Sequence, residues 1–181
     1  KDKEIKNIKA TKDKQIKVRC TYRKEKYNSF KLDINNGLAD LNKIFEDQQG
    51  FDYVINCIGI LNNNINKNNP QSVKEAILVN SIFPNNLATL ADNYKAKVIH
   101  ISTDGVFSKD DKLCFESSLR NCPDIYGKTK SLGEVISPNF INLRCSIIGP
   151  NSHLQKGLLE WFLSQPKKRE LMATQIRCGM V

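Results

Sequence analysis

Several features are scarce or missing in this sequence of 181 residues, and their absence excludes whole classes of protein. No apolar run approaches the roughly 18 residues that a membrane-spanning helix needs, and no hydrophobic stretch follows the lysine-rich start to form a signal peptide. The six cysteines show no C-x-x-C spacing, so the common zinc and redox motifs are missing. We therefore predict a cytoplasmic protein with reduced thiols, no membrane partner and no metal site.

The net charge is +9, and lysine is concentrated in residues 1–19, which raises nucleic acid as a partner. No RNP, zinc-finger or helix-turn-helix pattern accompanies this charge, and lysine, asparagine and isoleucine are abundant along the whole chain. We interpret the lysines as a solvated basic face and predict no nucleic-acid partner. A basic nucleic-acid-binding module is the third-ranked alternative, and a groove for an anionic small molecule remains open.

Short apolar runs rich in β-branched residues alternate with longer helical patterns, which is typical of βαβ units around a parallel sheet. The predicted strands are 16–22, 30–33, 52–59, 97–103 and 140–148. The predicted helices are 35–47, 72–94 with a kink at Pro84, 126–136 and 154–165. The fold class is therefore α/β, a three-layer Rossmann-type parallel sheet with helices on both faces, over residues 1–166.

Polar side chains follow the strand "KVIHIST" at the carboxyl end of the predicted sheet, where such folds bind ligands. Ser102 and Thr103 are expected to face a crevice there. Further along the chain, Tyr126 and Lys130 are four residues apart, so a helix places them on one face. An ammonium beside a phenol lowers the phenol's pKa, and this suits proton exchange next to a redox cofactor. The pair alone also fits an exposed tyrosine beside a solvated lysine.

Other motifs accompany this pair in a fixed order: "DYVINCIG", "VN" at residues 79–80, "VIHISTDGVF", "YGKTKSLGE" and "LRCSIIGP". Together they resemble the extended short-chain dehydrogenase/reductase family, specifically its dTDP-4-dehydrorhamnose reductase branch, over about residues 15 to 166. The resemblance implies that Thr103 hydrogen-bonds the substrate, that Tyr126 is the catalytic acid, and that Lys130 holds the nicotinamide ribose and tunes the tyrosine. Asp104 is expected to line the substrate side.

The resemblance also implies a set of cofactor-binding positions. In addition to Tyr126 and Lys130, these are Arg23, Asp33, Ile34, Cys57, Ile58, Gly59 and Asn80. Asp33 matches an aspartate near the adenine, residues 56–59 match a segment whose backbone passes the cofactor, and Asn80 matches an asparagine that steadies the active-site strand. Simpler roles stay open: Asp33 as a helix N-cap, Asn80 as a polar flank position, and Cys57 as a core thiol. His100 is interpreted as a packed histidine.

The resemblance breaks at both ends of the sequence. The first glycine is Gly37, so the glycine-rich turn that holds a dinucleotide's diphosphate is missing, and we expect a first βα unit to be lacking. From Glu170 the chain departs from the family pattern "INGYTNxxWNGVTT", whereas one back-translation of residues 170–181 reads "INGYTNQMWNG" in a shifted frame. We therefore expect a frameshift near residues 167–169 and an irregular tail over 167–181.

The function implied is reduction of a keto group on a nucleotide-linked deoxysugar, in polysaccharide biosynthesis. Arg23 and Lys24 follow the first predicted strand where an NAD-preferring fold often has an acidic residue, so NADPH is expected and NADH is the alternative. The expected partner is the nucleotide-sugar substrate, with a homodimer left open. The alternatives are a non-catalytic binding subunit of the same fold and a nucleotide-sugar epimerase or dehydratase.

Overall fold

A computed structural model describes residues 9–10, 14–15, 20–22, 29–108, 113–146 and 163–164. The chain forms two compact units, residues 1–51 and residues 52–181. The predicted irregular tail lies outside the described residues, as does the predicted last helix apart from residues 163–164.

The first unit contains two small strand pairs and one amphipathic helix. Strands β1 (Lys9–Ala10) and β2 (Lys14–Gln15) are antiparallel, whereas β3 (Cys20–Tyr22) and β4 (Ser29–Lys31) are parallel. Helix α1 spans Ala39–Asp47, and its apolar spacing buries Leu41, Ile44 and Phe45. Phe45 packs edge-on against Phe51, with ring centroids 5.2 Å apart. Leu38, which precedes the helix, is exposed.

The second unit is built on a parallel three-stranded sheet in the order β5 (Tyr53–Asn56), β6 (Lys97–Ser102) and β7 (Phe140–Arg144). Central strand β6 buries Val98, His100 and Ser102 on one face, as the two-residue period of a strand requires. On the other face the side chains of Tyr53 and Ile55 are 61% and 64% exposed. Each of the five predicted strands overlaps an observed one, β3 to β7, and β4 begins at Ser29, one residue before its predicted start. A Rossmann-type parallel sheet accompanied by helices is the fold of the chain.

A long helical segment joins β5 to β6. Helix α2 (Pro70–Ile77) begins after Asn69, whose side chain accepts hydrogen bonds from the backbone N–H groups of Gln71 and Ser72. A π-helical turn, Leu78–Ile82, leads into α3 (Phe83–Asn93). The kink predicted at Pro84 takes the form of this wider turn, because proline lacks the N–H that an α-helical bond to Asn80 needs.

The π turn also changes which side chains of this segment are buried. Ala76, Phe83, Leu87 and Leu90 are buried, whereas Ile77 and Ile82 are 40% and 45% exposed. One extra residue in a turn rotates the residues beside it away from the face that a regular 3.6-residue period assigns.

Helix α4 (Ile125–Leu132) begins after Asp124, whose side chain accepts a hydrogen bond from the N–H of Gly127 at 2.8 Å. Gly127 lies in a tight corner, because a Cβ there would overlap Cys122 Sγ and the carbonyl oxygen of Gly105. The corner sets the first turn of α4 directly against the turn that follows β6. Among the residues that the structure describes, no helix is long and apolar enough to cross a membrane.

Candidate active site

The site begins where β6 ends, and two adjacent hydroxyl residues there point to different surroundings. Ser102 is buried and donates a hydrogen bond to Glu134 Oε1 at 2.5 Å. The Thr103 hydroxyl accepts from the N–H of Gly105 at 3.0 Å and donates to Asp104 Oδ1 at 3.3 Å. The expectation that both hydroxyls face a crevice is therefore wrong for Ser102, because successive side chains of a strand point to opposite faces.

Tyr126 lies beside Thr103, and Gly105 adjoins them both. A Cβ placed on Gly105 would be 3.3 Å from Thr103 Oγ1 and 3.8 Å from Tyr126 Cε1. The Thr103 side chain also acts on the Tyr126 phenol, and this interaction favours the phenolate. The structure thus brings together two of the three predicted catalytic residues. They lie close to each other because Gly105, in the turn beside them, has no side chain.

The pKa of Tyr126 is raised above its ordinary value of 10.0, chiefly by burial and further by the nearby carboxylates of Asp104 and Asp124. The interaction with Thr103 acts on this pKa in the opposite direction but is outweighed. The predicted lowering of this pKa by Lys130 is therefore wrong for this structure. The phenol is protonated at neutral pH, which suits a proton donor.

Lys130 is buried one helical turn after Tyr126, and its amine points toward β6. Lys130 Nζ donates a hydrogen bond to the carbonyl oxygen of Ile101 at 2.8 Å and lies 3.4 Å from His100 Nε2. Burial lowers the pKa of Lys130, and the charge of Glu134 partly opposes that effect. The two side chains of this i, i+4 pair therefore lie at different places, Tyr126 beside Gly105 in the turn after β6 and the Lys130 amine at the Ile101 carbonyl within β6.

The segment after β5 approaches this amine from the other side. A Cβ placed on Gly59 would be 3.5 Å from Asn80 Oδ1 and 3.9 Å from Lys130 Nζ. Asn80 is fully buried, accepts from the N–H of Ile60 at 2.8 Å, and donates to the Ile60 carbonyl at 3.0 Å and to Thr129 Oγ1 at 3.2 Å. The backbone of this segment is therefore held next to Lys130 by the Asn80 side chain.

The remaining predicted cofactor-binding residues lie in different surroundings, and one of them is not described by the structure. Cys57 is exposed, so its interpretation as a core thiol is wrong, and Ile58 is half-buried with its N–H bonded to Asn56 Oδ1 at 3.0 Å. Asp33 caps the 3-10 turn Ile34–Asn36 in the first unit, which agrees with the N-cap interpretation. Arg23 lies outside the described residues. The cofactor roles of these residues stay predictions.

A buried ion cluster centred on Glu134 was not predicted from the sequence. Its carboxylate, whose side chain is 1% exposed, pairs with Arg144 Nη2 at 2.7 Å and Arg120 Nη1 at 3.0 Å, in addition to the bond from Ser102. Burial raises the pKa of Glu134, but the bonds from Arg144, Ser102 and Arg120 outweigh burial and hold this pKa below its usual range. A sequence signal existed, since Glu134 is four residues after Lys130.

Chemically, the site combines a hydroxyl and a protonated phenol at one corner with an amine beside an exposed glycine. The hydroxyl and the phenol are suited to hold a carbonyl oxygen and exchange a proton with it. Gly59 offers backbone without a side chain, so a flat ring or a ribose can approach closely. Among the described residues, no group of three or more His, Cys, Asp and Glu side chains is placed to hold a metal ion.

Residues 6–169 match the RmlD substrate binding domain family, that is, nearly the whole chain. The chain belongs to this family. The matched residues end at 169. None of the curated proteins compared with the chain matches it significantly.

Solved structures with the same fold include three described as dTDP-4-dehydrorhamnose reductases. A hypothetical one from Sulfolobus tokodaii is 22% identical with a TM-score of 0.58, over 68% of this chain and 44% of that one. The Clostridium acetobutylicum protein is 27% identical with a TM-score of 0.56, over 71% and 52%. The Bacillus anthracis protein, in complex with NADP, is 18% identical with a TM-score of 0.55, over 73% and 54%.

These likenesses confirm the predicted resemblance to the dTDP-4-dehydrorhamnose reductase branch of the extended short-chain dehydrogenase/reductase family. They also confirm the Rossmann-type fold. The matched part of this chain corresponds to only 44% to 54% of the length of the three solved proteins. The activity of the full-length reductases is therefore only proposed for this chain.

Proposed function

We propose that the chain carries the catalytic half-site of an NADPH-dependent reductase that acts on the keto group of a nucleotide-linked deoxysugar. The observation that carries this proposal is the shared corner of Thr103 and Tyr126 at the carboxyl end of β6, with Lys130 held nearby. The 27% identity to the Clostridium acetobutylicum dTDP-4-dehydrorhamnose reductase supports the substrate class.

The residues present fit one end of a nicotinamide cofactor. Gly59 leaves open backbone between Asn80 and Lys130, and these residues would hold the ribose and nicotinamide. When bound, the cofactor supplies a hydride. Asp33 and Ile34 are proposed at the adenine and Arg23 at a 2'-phosphate, and the NADP complex of the Bacillus anthracis protein supports NADPH over NADH. The backbone of Cys57 and Ile58 is proposed to run alongside the cofactor.

The chain's own residues would divide the work on the substrate. Thr103 donates a hydrogen bond to the carbonyl oxygen, and Tyr126 gives its phenolic proton to that oxygen as it becomes an alcohol. The raised pKa of Tyr126 suits this direction of transfer, because the phenol is protonated at neutral pH. Asp104, next to Thr103, is proposed to line the sugar side. A homodimer and a role in polysaccharide biosynthesis stay predictions.

The test measures NADPH oxidation with a dTDP-linked 4-keto-6-deoxysugar, both by the chain and by a version that carries a glycine-rich strand–turn–helix unit at its N-terminus. We expect turnover in the extended version and a loss of about 100-fold or more in Tyr126→Phe, with nucleotide binding retained. Tyr53→Phe is the matched control, because Tyr53 is 61% exposed on the far face of the sheet. Equal turnover in Tyr126→Phe would remove this residue from the mechanism.

The same assay separates the alternatives. Net consumption of NADPH indicates reduction, whereas an epimerase or dehydratase recycles its cofactor and converts the sugar without net oxidation. Nucleotide-sugar binding without either reaction indicates a non-catalytic binding subunit. A salt-sensitive gel shift with DNA or RNA would instead favour the basic-module interpretation of the lysine-rich composition.

A further inference from the structure

Two buried polar residues behind the site, Asn56 and His100, have no part in the function proposed above, and they belong to a chain of hydrogen bonds that ends at Lys130. It runs from the backbone N–H of Ile58 to Asn56, from Asn56 to His100, and from His100 to Lys130. Asn56 is 3% exposed and His100 is fully buried. Groups so deeply buried must satisfy one another, so the direction of each hydrogen bond follows from the chemistry of the ends.

The orientation of the Asn56 amide follows from the Ile58 end. A backbone N–H only donates, so the Asn56 atom 3.0 Å from Ile58 N is the oxygen Oδ1. The Asn56 Nδ2 group therefore faces His100 Nδ1, 3.0 Å away, and can only donate to it. His100 Nδ1 must accept, which leaves the ring proton of a neutral imidazole on Nε2.

This tautomer directs an imidazole N–H at the lysine. His100 Nε2 lies 3.4 Å from Lys130 Nζ, a long hydrogen bond. A charged ammonium has three donors and no acceptor, so it would face this N–H donor against donor. A neutral amine has one lone pair to accept the N–H, and it still donates to the Ile101 carbonyl at 2.8 Å. Each contact in this chain pairs one donor with one acceptor only when Lys130 is neutral.

We propose that Asn56 and His100 are positioning residues for Lys130, holding its amine against strand β6 and favouring its neutral form through an imidazole Nε2–H. The catalytic consequence of this inference rests on the proposed function, because a lysine that releases its proton easily can exchange protons during turnover. The hydrogen-bond pattern itself stands without any activity. The inference does not depend on the proposal that Lys130 holds the cofactor's ribose.

The surroundings of His100 agree with a neutral ring. Burial is the main cause that lowers its pKa to about 4, a charge on Lys130 would act in the same direction, and the carboxylate of Glu134 acts in the opposite direction. The Phe140 ring from β7 lies 5.7 Å from the imidazole, centroid to centroid, and Asn56 faces it from β5. Glu134 is the carboxylate that acts on both His100 and Lys130, and it is engaged with Arg120 and Arg144.

The test reads the tautomer directly, by two-bond 1H–15N NMR correlation of the imidazole nitrogens. The chain has only two histidines, so His153→Gln assigns the His100 signals. We expect the Nε2–H tautomer between pH 5.5 and 8 in the unaltered chain, with no protonation in that range. An Nδ1–H tautomer, or a ring that titrates near pH 6.5, would overturn the proposal without any variant.

Two variants then test the link to the lysine. In Asn56→Asp the carboxylate accepts from both Ile58 N–H and an Nδ1–H, so the tautomer should reverse and Nε2 should accept from an ammonium. The 15N titration of Lys130 Nζ, assigned by its loss in Lys130→Arg, should then move to higher pH. His100→Gln should move it in the same direction without adding charge, because the glutamine oxygen can accept from the ammonium.

The control is Asn64→Asp, which adds the same charge at an exposed turn outside the chain of bonds. It should leave both the tautomer and the Lys130 titration unchanged. An unchanged Lys130 midpoint in folded Asn56→Asp and His100→Gln proteins would refute the positioning role. Because no step of this test needs turnover, failure of the reductase proposal leaves its outcome unaffected.

Discussion

The side chain of Asn80 forms hydrogen bonds with both backbone polar groups of Ile60, 20 residues earlier in the chain. Its amide thereby does what a neighbouring strand would do, at a place where β5 has already ended. Because Asn80 lies in the π-helical turn, the helix contributes this side chain where its own bonding pattern is widened. The segment that borders the proposed cofactor surface is thus fixed by a helix.

Removing the Asn80 amide should destabilise the protein. Asn80→Ala leaves the Ile60 N–H and carbonyl and the Thr129 hydroxyl without this partner, and we expect a loss of about 2 kcal/mol or more in the free energy of unfolding. Urea unfolding followed by circular dichroism measures it. Asn64→Ala, at an exposed turn, should change the same quantity by less than about 0.5 kcal/mol. A loss no larger for Asn80→Ala than for this control would contradict the assigned role.

The Glu134 cluster predicts how stability depends on pH. The pKa of Glu134 in the folded chain lies below its usual value of 4.5, so its contribution is fully present above that value and is lost as pH falls through the folded pKa. Glu134→Gln should therefore lower stability at pH 7 and reduce the loss of stability between pH 5 and pH 3. Urea midpoints across this range check the prediction, with the exposed Glu75→Gln as control. Parallel curves for Glu134→Gln and the unaltered chain would refute it.

Two glycines near the site should respond differently to a methyl group. Gly127→Ala forces a Cβ into Cys122 Sγ and the Gly105 carbonyl oxygen, and backbone cannot yield as a flexible side chain does. We expect a loss of about 1 to 3 kcal/mol in unfolding free energy, from overpacking. Gly59→Ala meets only ordinary contacts at 3.5 and 3.9 Å, so stability should be retained while nucleotide binding weakens. Thermal unfolding and isothermal titration separate the effects, and equal stability of the two variants would contradict this packing.

Asp104 should raise the pKa of Tyr126 through its charge. Asp104→Asn keeps the oxygen that accepts from Thr103 and removes the charge, so the pKa of Tyr126 should fall, although burial keeps it elevated. Ultraviolet difference titration against Tyr126→Phe isolates this one tyrosine among the five in the chain. Asp52→Asn, at an exposed position, serves as the charge-matched control. A Tyr126 midpoint that does not move in Asp104→Asn would show that this carboxylate is screened from the phenol.

Part of the site could be predicted because it depends on short spacings along the chain. Tyr126 and Lys130 are one helical turn apart, and Thr103 directly follows a strand of β-branched residues, so local geometry places each of them. The opposite orientation of Ser102 was also predictable from the two-residue period of a strand. The raised pKa of Tyr126 was not predictable, because it reflects burial together with Asp104 and Asp124, charges whose distances the spacing does not reveal.

The sequence by itself determined the secondary structure and the order of motifs. Hydrophobic periodicity and capping residues such as Asn69 and Asp124 act within a few residues, so they specify where strands and helices begin. The tertiary structure alone decided which groups meet: Lys130 with the Ile101 carbonyl and His100, Glu134 with two arginines, and Asn80 with Ile60. Those pairings join distant parts of the chain, and buried polar groups accept only partners that packing brings within hydrogen-bonding distance.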